Sequence, residues 1–246
     1  MGIGNLGAVS DNICYRDAYA REVDAEVLGI DPETGAVLLD RTVFYPGGGG
    51  QPADSGTLEG AGGSWRVSGA RKRDDDIWHS VGGEAPAIGS RVTAHIDWDR
   101  RHALMRTHSA LHVLCGVVWR DYQASVTGGN MEPLSGRMDF EFETMAGELV
   151  AEIERRVNEE VVADREIRVG VLPRDEAFAI PDLIRTKINL LPEGITEVRT
   201  IEIVGLDLQA DGGTHVARTL EIGRVRVTGY ESKGRINKRI RIAVED

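Results

Sequence analysis

The sequence predicts an α+β chain: a small N-terminal β-barrel, then a second domain of antiparallel sheet with helices packed on it. Three observations predict it. Short alternating segments and turn residues run from about Arg21 to Ile96, and a long helical pattern begins near Asp97. Strands and a second helix then follow one another to residue 246. Glycine is also frequent, 30 of 246 residues, or about 12% against a usual ~7%, and tight turns of that density favour a strand-rich chain.

The elements follow in order. Glu22 to Ile30 alternates polar and apolar residues, and Asp31-Pro32-Glu33-Thr34-Gly35 is turn chemistry. Ala36 to Tyr45 reads as a second strand carrying Val37, Leu38, Leu39, Val43 and Phe44. Trp65 to Ala70, Ile77 to Val81 and Val92 to Ile96 read as further strands, and short strands at this spacing suggest a small barrel. Asp97 or Asp99 can cap a helix running to about Arg120, with Leu104, His108, Leu111, Cys115 and Val118 on one face. After a Gly128-Gly129 turn, Arg137 to Phe142 reads as a strand with Met138, Phe140 and Phe142 on one side. Ala146 to Val162 is a helix: Leu149, Ile153, Val157 and Val161 recur at helical spacing, and Glu152, Glu154, Arg155, Arg156, Glu159 and Glu160 form a solvated face. Ile167 to Leu172 is a strand, and Ala177 to Leu190 mixes a short helix and turns. Glu197 to Val204, Leu220 to Thr228 and Ile236 to Val244 complete the strands. The change of pattern near residue 97 predicts two domains, 1–97 and 98–246.

Composition narrows the function classes. No apolar run approaches the ~20 residues of a transmembrane helix, so no membrane partner is expected. Met1 to Asn12 lacks the basic-then-apolar order of a secretory signal. Leu6 stands where a myristoylation motif wants Ser or Thr. Cys14 and Cys115 are too few for a disulfide framework, so a reducing cytoplasm is expected. The net charge of −11 argues against a globally basic nucleic-acid binder and leaves room for a local patch. Lys233, Arg235, Lys238, Arg239 and Arg241 form such a run, whose plainest reading is a solvated edge strand on which lysine blocks unwanted pairing.

Three segments carry chemistry. Gly47-Gly48-Gly49-Gly50, followed by Gln51, removes every side chain and permits φ > 0. It has neither GxGxxG nor Walker spacing, and it suits either close backbone approach to a ligand or a barrel corner. His108 and His112 stand one helical turn apart, with Cβ atoms roughly 5–6 Å from each other. Ser109 follows the first histidine, so this is not the HExxH of a metalloprotease; the pair is either two metal ligands or two half-buried core histidines. Asp211-Gly212-Gly213-Thr214-His215 is a glycine-rich turn that adds a third imidazole and a carboxylate. Three histidines and one carboxylate suit zinc in a tetrahedral or five-coordinate site with an open position. His79, His95 and His102 lie in ordinary strand or helix-start contexts.

Together these segments resemble the AlaX family, free-standing relatives of the editing domain of alanyl-tRNA synthetase, of the medium-length type. The carriers are Phe44 to Gln51 with Asp54 and Gly56, Thr107 to His112, Arg137-Met138-Asp139-Phe140, and Gln209 to His215. The resemblance covers nearly the whole chain and nothing of an aminoacylation portion. It implies a cytoplasmic, zinc-dependent deacylase of mischarged tRNA(Ala), acting mainly on Ser-tRNA(Ala) and also on Gly-tRNA(Ala), while sparing Ala-tRNA(Ala). It implies zinc on His108, His112, His215 and Asp211, and a substrate pocket of Thr42, Gly48, Gly49, Gly50 and Gln51, with Thr42 pairing with the serine hydroxyl. Gln209, Thr214 and Asp139 are expected behind these groups. Arg71, Lys72, Arg73, Lys233, Arg235, Lys238 and Arg239 become expected tRNA contacts. The chain departs from the family pattern at Asp211, where cysteine is usual; a carboxylate is a harder ligand than a thiolate. Direct ligation by Asp211 is expected from its position, against the alternative of a group that orients water. Three rival readings stay open: a metal-dependent hydrolase of a small ester or amide, a catalytically inactive tRNA-binding module, and editing of another mischarged tRNA.

Overall fold

A two-residue strand, Asp11–Asn12 (β1), opens the described residues, which are 10–184 and 195–246 of a computed structural model. The following strands are Glu22–Ile30 (β2), Val37–Leu39 (β3), Arg41–Thr42 (β4), Gly56–Gly60 (β5), Gly63–Arg73 (β6), Asp76–Val81 (β7) and Arg91–Ile96 (β8). Six of them close into a barrel in the order β2-β3-β7-β6-β5-β8, while β4 pairs in parallel with β1. Alternation turns Ala25, Val27, Val37, Leu39, Leu58, Val67, Ile77, Val92 and Ala94 inward, and these side chains fill the barrel. Gly56 is required where β5 meets β8, because a Cβ there would lie 2.0 Å from the carbonyl oxygen of His95. The Asp31–Gly35 turn forms as its residues dictate: Asp31 Oδ1 accepts the amides of Glu33 and Thr34, and Gly35 takes φ 70°.

A 25-residue helix, Trp98–Tyr122 (α1), follows, with Asp97 Oδ1 accepting the Arg100 amide at its start. Then come Val126–Glu132 (β9), Ser135–Glu141 (β10), Gly147–Val162 (α2), Ile167–Pro173 (β11), Arg174–Ala179 (α3), Glu197–Ile203 (β12), Asp207–Ala210 (β13), Arg224–Ser232 (β14) and Asn237–Glu245 (β15). The chain forms two units that divide within α1: one runs up to Gly48 and over Pro52–Arg101, and the other comprises Gly49–Gln51 with His102–Asp246. The second unit holds an antiparallel sheet β14-β15-β10-β9 and a smaller one, β11-β12-β13. Leu111 and Thr107 of α1 pack on Gly136 of β10, where a Cβ would come within 3.2 Å of Leu111. Asn158 of α2 clips the backbone of Val225 in β14, donating to its oxygen at 2.7 Å and accepting its amide at 3.0 Å. Among the described residues no helix is long and apolar enough to cross a membrane. Barrel, antiparallel sheets and helices make this the α+β fold the sequence predicts.

Several local readings change. Gly128 and Gly129 are not a turn; they lie inside the edge strand β9, paired with Asp139 and Met138. Ala36 to Tyr45 is broken at Asp40 into two short strands, because Asp40 turns its carboxylate back to accept the Glu26 amide. The strand expected from Leu220 starts at Arg224, after a 3₁₀ turn over Thr219–Ile222. The basic C-terminal run is not an edge strand: β15 lies between β14 and β10, with Ile240, Ile242 and Val244 buried. Of the segment from Ala177 to Leu190, α3 and the residues to 184 are described, and the rest lies outside the described residues.

Candidate metal centre

His108 and His112 extend from one face of α1, as their spacing requires, and meet His215 and Asp211 from the segment after β13. One donor atom from each of the four residues lies within 4.8 Å of the others. Asp211 Oδ1 stands 3.6 Å from His108 Nε2 and 3.9 Å from His112 Nε2, and Asp211 Oδ2 stands 3.1 Å from His215 Nε2. Zinc with N and O ligands at about 2.0–2.1 Å has tetrahedron edges of about 3.3–3.4 Å. The observed separations bracket that edge, so the donor set fits such an ion with small adjustments.

Three of the four ligand candidates, His108, His215 and Asp211, are held from behind. Gln51 Oε1 accepts His108 Nδ1–H at 3.0 Å and the Thr214 amide at 3.0 Å, while Gln51 Nε2 donates to Thr214 Oγ1 at 2.8 Å. A carbonyl oxygen only accepts, so the proton of His108 sits on Nδ1 and Nε2 keeps its lone pair toward the cluster. His215 Nδ1 lies 3.2 Å from Ser109 Oγ, which also accepts the Val216 amide. Asp211 Oδ2 accepts the Gly213 amide at 2.6 Å. Arg199 brackets the same residue: its carbonyl accepts the Asp211 amide at 3.1 Å, and its Nη1 donates to the Asp211 carbonyl at 2.9 Å.

Protonation states follow from burial and neighbours. Burial drives His108 well below the usual histidine range and His215 to about 4, against the pull of Asp211 in both cases. Burial alone would raise Asp211, but the adjacent imidazoles of His108, His215 and His112 outweigh it and hold the carboxyl well below the usual carboxylate range. A divalent cation binds imidazole nitrogens and carboxylate oxygens in their proton-free forms, so binding here is in competition with protons.

Gly49 meets the cluster by backbone alone. Gly47, Gly48, Gly49 and Gly50 all take positive φ, at 81°, 135°, 58° and 88°. A Cβ on Gly49 would lie 3.6 Å from Asp211 Oδ1, and Gly50 accepts the Met131 amide at the open edge of β9. The base of this loop is pinched in the first unit by Tyr45 and Asp54, which exchange a backbone hydrogen bond and a 2.7 Å amide–carboxylate bond. Arg101, fully buried, pairs with the Asp54 carboxylate and donates to the carbonyls of Ala18 and Val43.

Most of the other expected site residues have partners of their own. Thr42 is buried in the barrel, donates to His79 Nε2 at 2.8 Å and accepts the Phe44 amide at 3.1 Å. His79 gives its Nδ1 proton to the Val37 carbonyl, and burial takes its pKa to about 4. Gln209 donates to Asp207. Asp139 accepts two bonds from Arg239, at 2.7 and 2.8 Å, and one from Arg137 at 3.2 Å. Lys238 is buried, with its ammonium on the carbonyls of Gly234 and Arg235 at 2.8 Å each, where it organises the β14–β15 turn. Arg73 pairs with Asp31, Lys72 lies 3.8 Å from Asp75, and Lys233 lies 3.8 Å from Glu231; Arg71 and Arg235 are exposed. Sequence reasoning missed Ser109, Arg199 and Arg101; the buried arginine carries a weak signal, in that it sits one turn into a helix beside apolar positions.

Comparison with known proteins identifies the family. Residues 16–100 match the family of class II (A) tRNA synthetases, and residues 198–241 match the second additional domain of threonyl and alanyl tRNA synthetases. The alanyl-tRNA editing protein AlaX-M of Saccharolobus solfataricus is 34% identical over 241 residues, covering 96% of this chain and all of that protein. AlaX-M of Methanosarcina mazei is 34% identical over 246 residues, covering 97% of this chain and 98% of that protein. The alanine–tRNA ligase of Pyrobaculum aerophilum is 38% identical over 224 residues, which cover 88% of this chain and 25% of the ligase. At this identity over nearly its whole length, the chain belongs to the AlaX-M family of alanyl-tRNA editing proteins.

Proposed function

We propose that the protein is a trans-acting aminoacyl-tRNA deacylase that hydrolyses the ester of mischarged tRNA(Ala), chiefly Ser-tRNA(Ala) and secondarily Gly-tRNA(Ala), and spares Ala-tRNA(Ala). The observation that carries this reading is the convergence of three imidazoles and one carboxylate within 4.8 Å beside an all-positive-φ glycine backbone. The chemical need is plain. A synthetase pocket for alanine gains only about 1–3 kcal/mol from one methyl group, and it rejects an added hydroxyl poorly, so a second hydrolytic site is needed.

In this reading His108, His112, His215 and Asp211 would hold zinc, and a zinc held there would supply Lewis acidity either to a water or to the ester. The chain's own groups do the positioning. Gln51 fixes the ring of His108, Ser109 that of His215, and Gly213 with Arg199 fix Asp211. Bare glycine amides admit the aminoacyl end without side-chain interference. Thr42 is the residue that the family resemblance assigns to the serine hydroxyl; its own proton is given to His79, so toward any further partner its oxygen is an acceptor, and the Thr42→Val variant tests the assignment.

The test is single-turnover deacylation of Ser-, Gly- and Ala-tRNA(Ala), with and without a chelator and with zinc restored. The expected result is hydrolysis of the serine ester that is lost on chelation and regained with zinc, with the alanine ester untouched. Absence of serine-ester hydrolysis by zinc-replete protein would overturn the reading, and hydrolysis confined to small esters would replace it with a general esterase.

A further inference from the structure

On the outer face of the larger sheet, Arg137 of β10 stands directly opposite Arg241 of β15. The neighbouring row is complementary, Asp139 opposite Arg239. Facing residues in an antiparallel pair have Cβ atoms about 4.5–5.5 Å apart, so two facing guanidinium groups destabilise the sheet. The strand registers leave no doubt about the face: Gly136, one residue away from Arg137, packs inward on Leu111, and Ile240 and Ile242, flanking Arg241, are buried.

Both arginines are braced and both keep donors to spare. Arg137 uses Nη1 on Asp139 at 3.2 Å, and Arg241 uses Nη2 on Glu231 at 2.6 Å. A guanidinium has five N–H donors, so most remain for an outside acceptor. Their side chains are 35% and 43% exposed. Arg239 also lies on this face, and Lys233 lies by Glu231 at the β14–β15 turn, so four cations, Arg137, Arg239, Arg241 and Lys233, stand among three carboxylates, Asp139, Glu141 and Glu231. The surface around the pair is low. Gly229 opposes Arg241 with open space where a Cβ would be, and Gly128 opposes Asp139 on β9.

The patch is continuous with the candidate metal centre. Gly49 lies against Asp211, Gly50 lies along Gly129 and Asn130 of β9, and Asn130 is the cross-strand partner of Arg137. With strands about 4.7–4.9 Å apart, Arg137 and Arg241 lie one and two strand spacings in from the edge that Gly50 covers.

We infer that Arg137 and Arg241 form a phosphate-binding site on which the backbone of the RNA substrate crosses the sheet as it leaves the metal centre. A phosphate between the two guanidiniums converts their mutual repulsion into two charge-assisted contacts. This rests on the RNA-ester reading above and assigns the surface that the substrate's chain follows. It also moves the role away from Lys238 and Arg239, whose charges are spent on the turn carbonyls and on Asp139.

The experiment uses the full chain with R137Q/R241Q, which keeps both carboxylates, and R155Q/R168Q as a charge-matched control on α2 and β11. Binding of uncharged tRNA(Ala) is measured by anisotropy across a salt series, alongside Ser-tRNA(Ala) deacylation and thermal unfolding. The expected result for R137Q/R241Q is about tenfold weaker binding and a log–log salt slope flatter by about 0.7, from the loss of one single-strand phosphate contact. Its melting temperature should not fall, because a repulsive pair has been removed, and the control should bind like wild type. Unchanged affinity and slope in R137Q/R241Q, or an equal loss in the control, would overturn the inference while leaving the deacylase reading standing. Failure of the wild type to hydrolyse the serine ester would remove the deacylase reading, and the binding series would still decide the phosphate site.

Discussion

Gly213→Ala is a one-methyl test of the metal centre. A Cβ at residue 213 would sit 2.2 Å from Cε1 and 2.3 Å from Nδ1 of His108, and 2.8 Å from Oε1 of Gln51. Ordinary carbon contacts are about 3.5–4.0 Å, so the imidazole must retreat by about 1.3 Å or more. It has nowhere to go: the ring is nearly fully buried, with the His215 ring centroid 4.3 Å away and that of His112 at 5.0 Å. Metal–ligand distances tolerate only about ±0.2 Å, so the displaced Nε2 leaves the donor set. A 1 Å misplacement can cost about 100-fold in rate, and overpacking adds about 1–3 kcal/mol of destabilisation. Gly212→Ala is the matched control, since a Cβ there meets nothing within 4 Å and neither glycine has positive φ. Single-turnover deacylation of Ser-tRNA(Ala) and zinc affinity by chelator competition should fall at least 100-fold in G213A and stay near wild type in G212A. A G213A protein that matches G212A in both measurements would refute the steric argument.

Four further outcomes are expected. Arg101→Met strands the buried Asp54 carboxylate and should cost about 3–5 kcal/mol in chemical unfolding, with part recovered by adding Asp54→Asn; full stability in the single variant would contradict a buried ion pair. His79, whose folded pKa of about 4 lies below its ordinary 6.5, binds its proton only on unfolding. Its contribution is therefore complete above pH 6.5 and is lost as pH falls toward 4, about 3 kcal/mol in all. His79→Gln should flatten the pH dependence of barrel amide exchange across that window, and an unchanged slope would reject the assignment. Thr42→Val should leave Ser-tRNA(Ala) hydrolysis weaker by about 1–3 kcal/mol in kcat/KM with little change in zinc binding, and undiminished preference for serine over alanine would clear Thr42 of the role. Arg239→Ala removes the bidentate partner of Asp139 and should lower stability by about 2 kcal/mol in denaturant unfolding, in contrast to R137Q/R241Q.

Much of this was legible in the sequence because it is short-range. The four-residue interval between His108 and His112 is a helical geometry, and Asp211 to His215 is a single turn, so ligand types and their grouping could be read locally. The barrel was legible from period-two alternation in β2 and from the Asp31–Gly35 turn. What escaped depends on distant pairing. Gly128-Gly129 looks like a turn until β10 provides a partner. The C-terminal cations look like a solvated edge until β14 and β10 flank β15. Gln51 meets His108 across 57 positions and Thr214 across 163, and no local pattern reports such a contact.

The same distinction bears on Asp211. A thiolate offers a metal one donor atom, whereas a carboxylate brings a second oxygen that needs a partner when buried. Here Oδ2 has one, the Gly213 amide at 2.6 Å, while Oδ1 faces His108 and His112. Gly213 is also the residue whose missing Cβ makes room for the His108 ring. One glycine therefore serves both sides of the candidate centre, supplying an N–H to the carboxylate oxygen that also faces His215 and the space that lets the His108 imidazole approach. The amide that satisfies the buried carboxylate is thus part of the turn's own backbone.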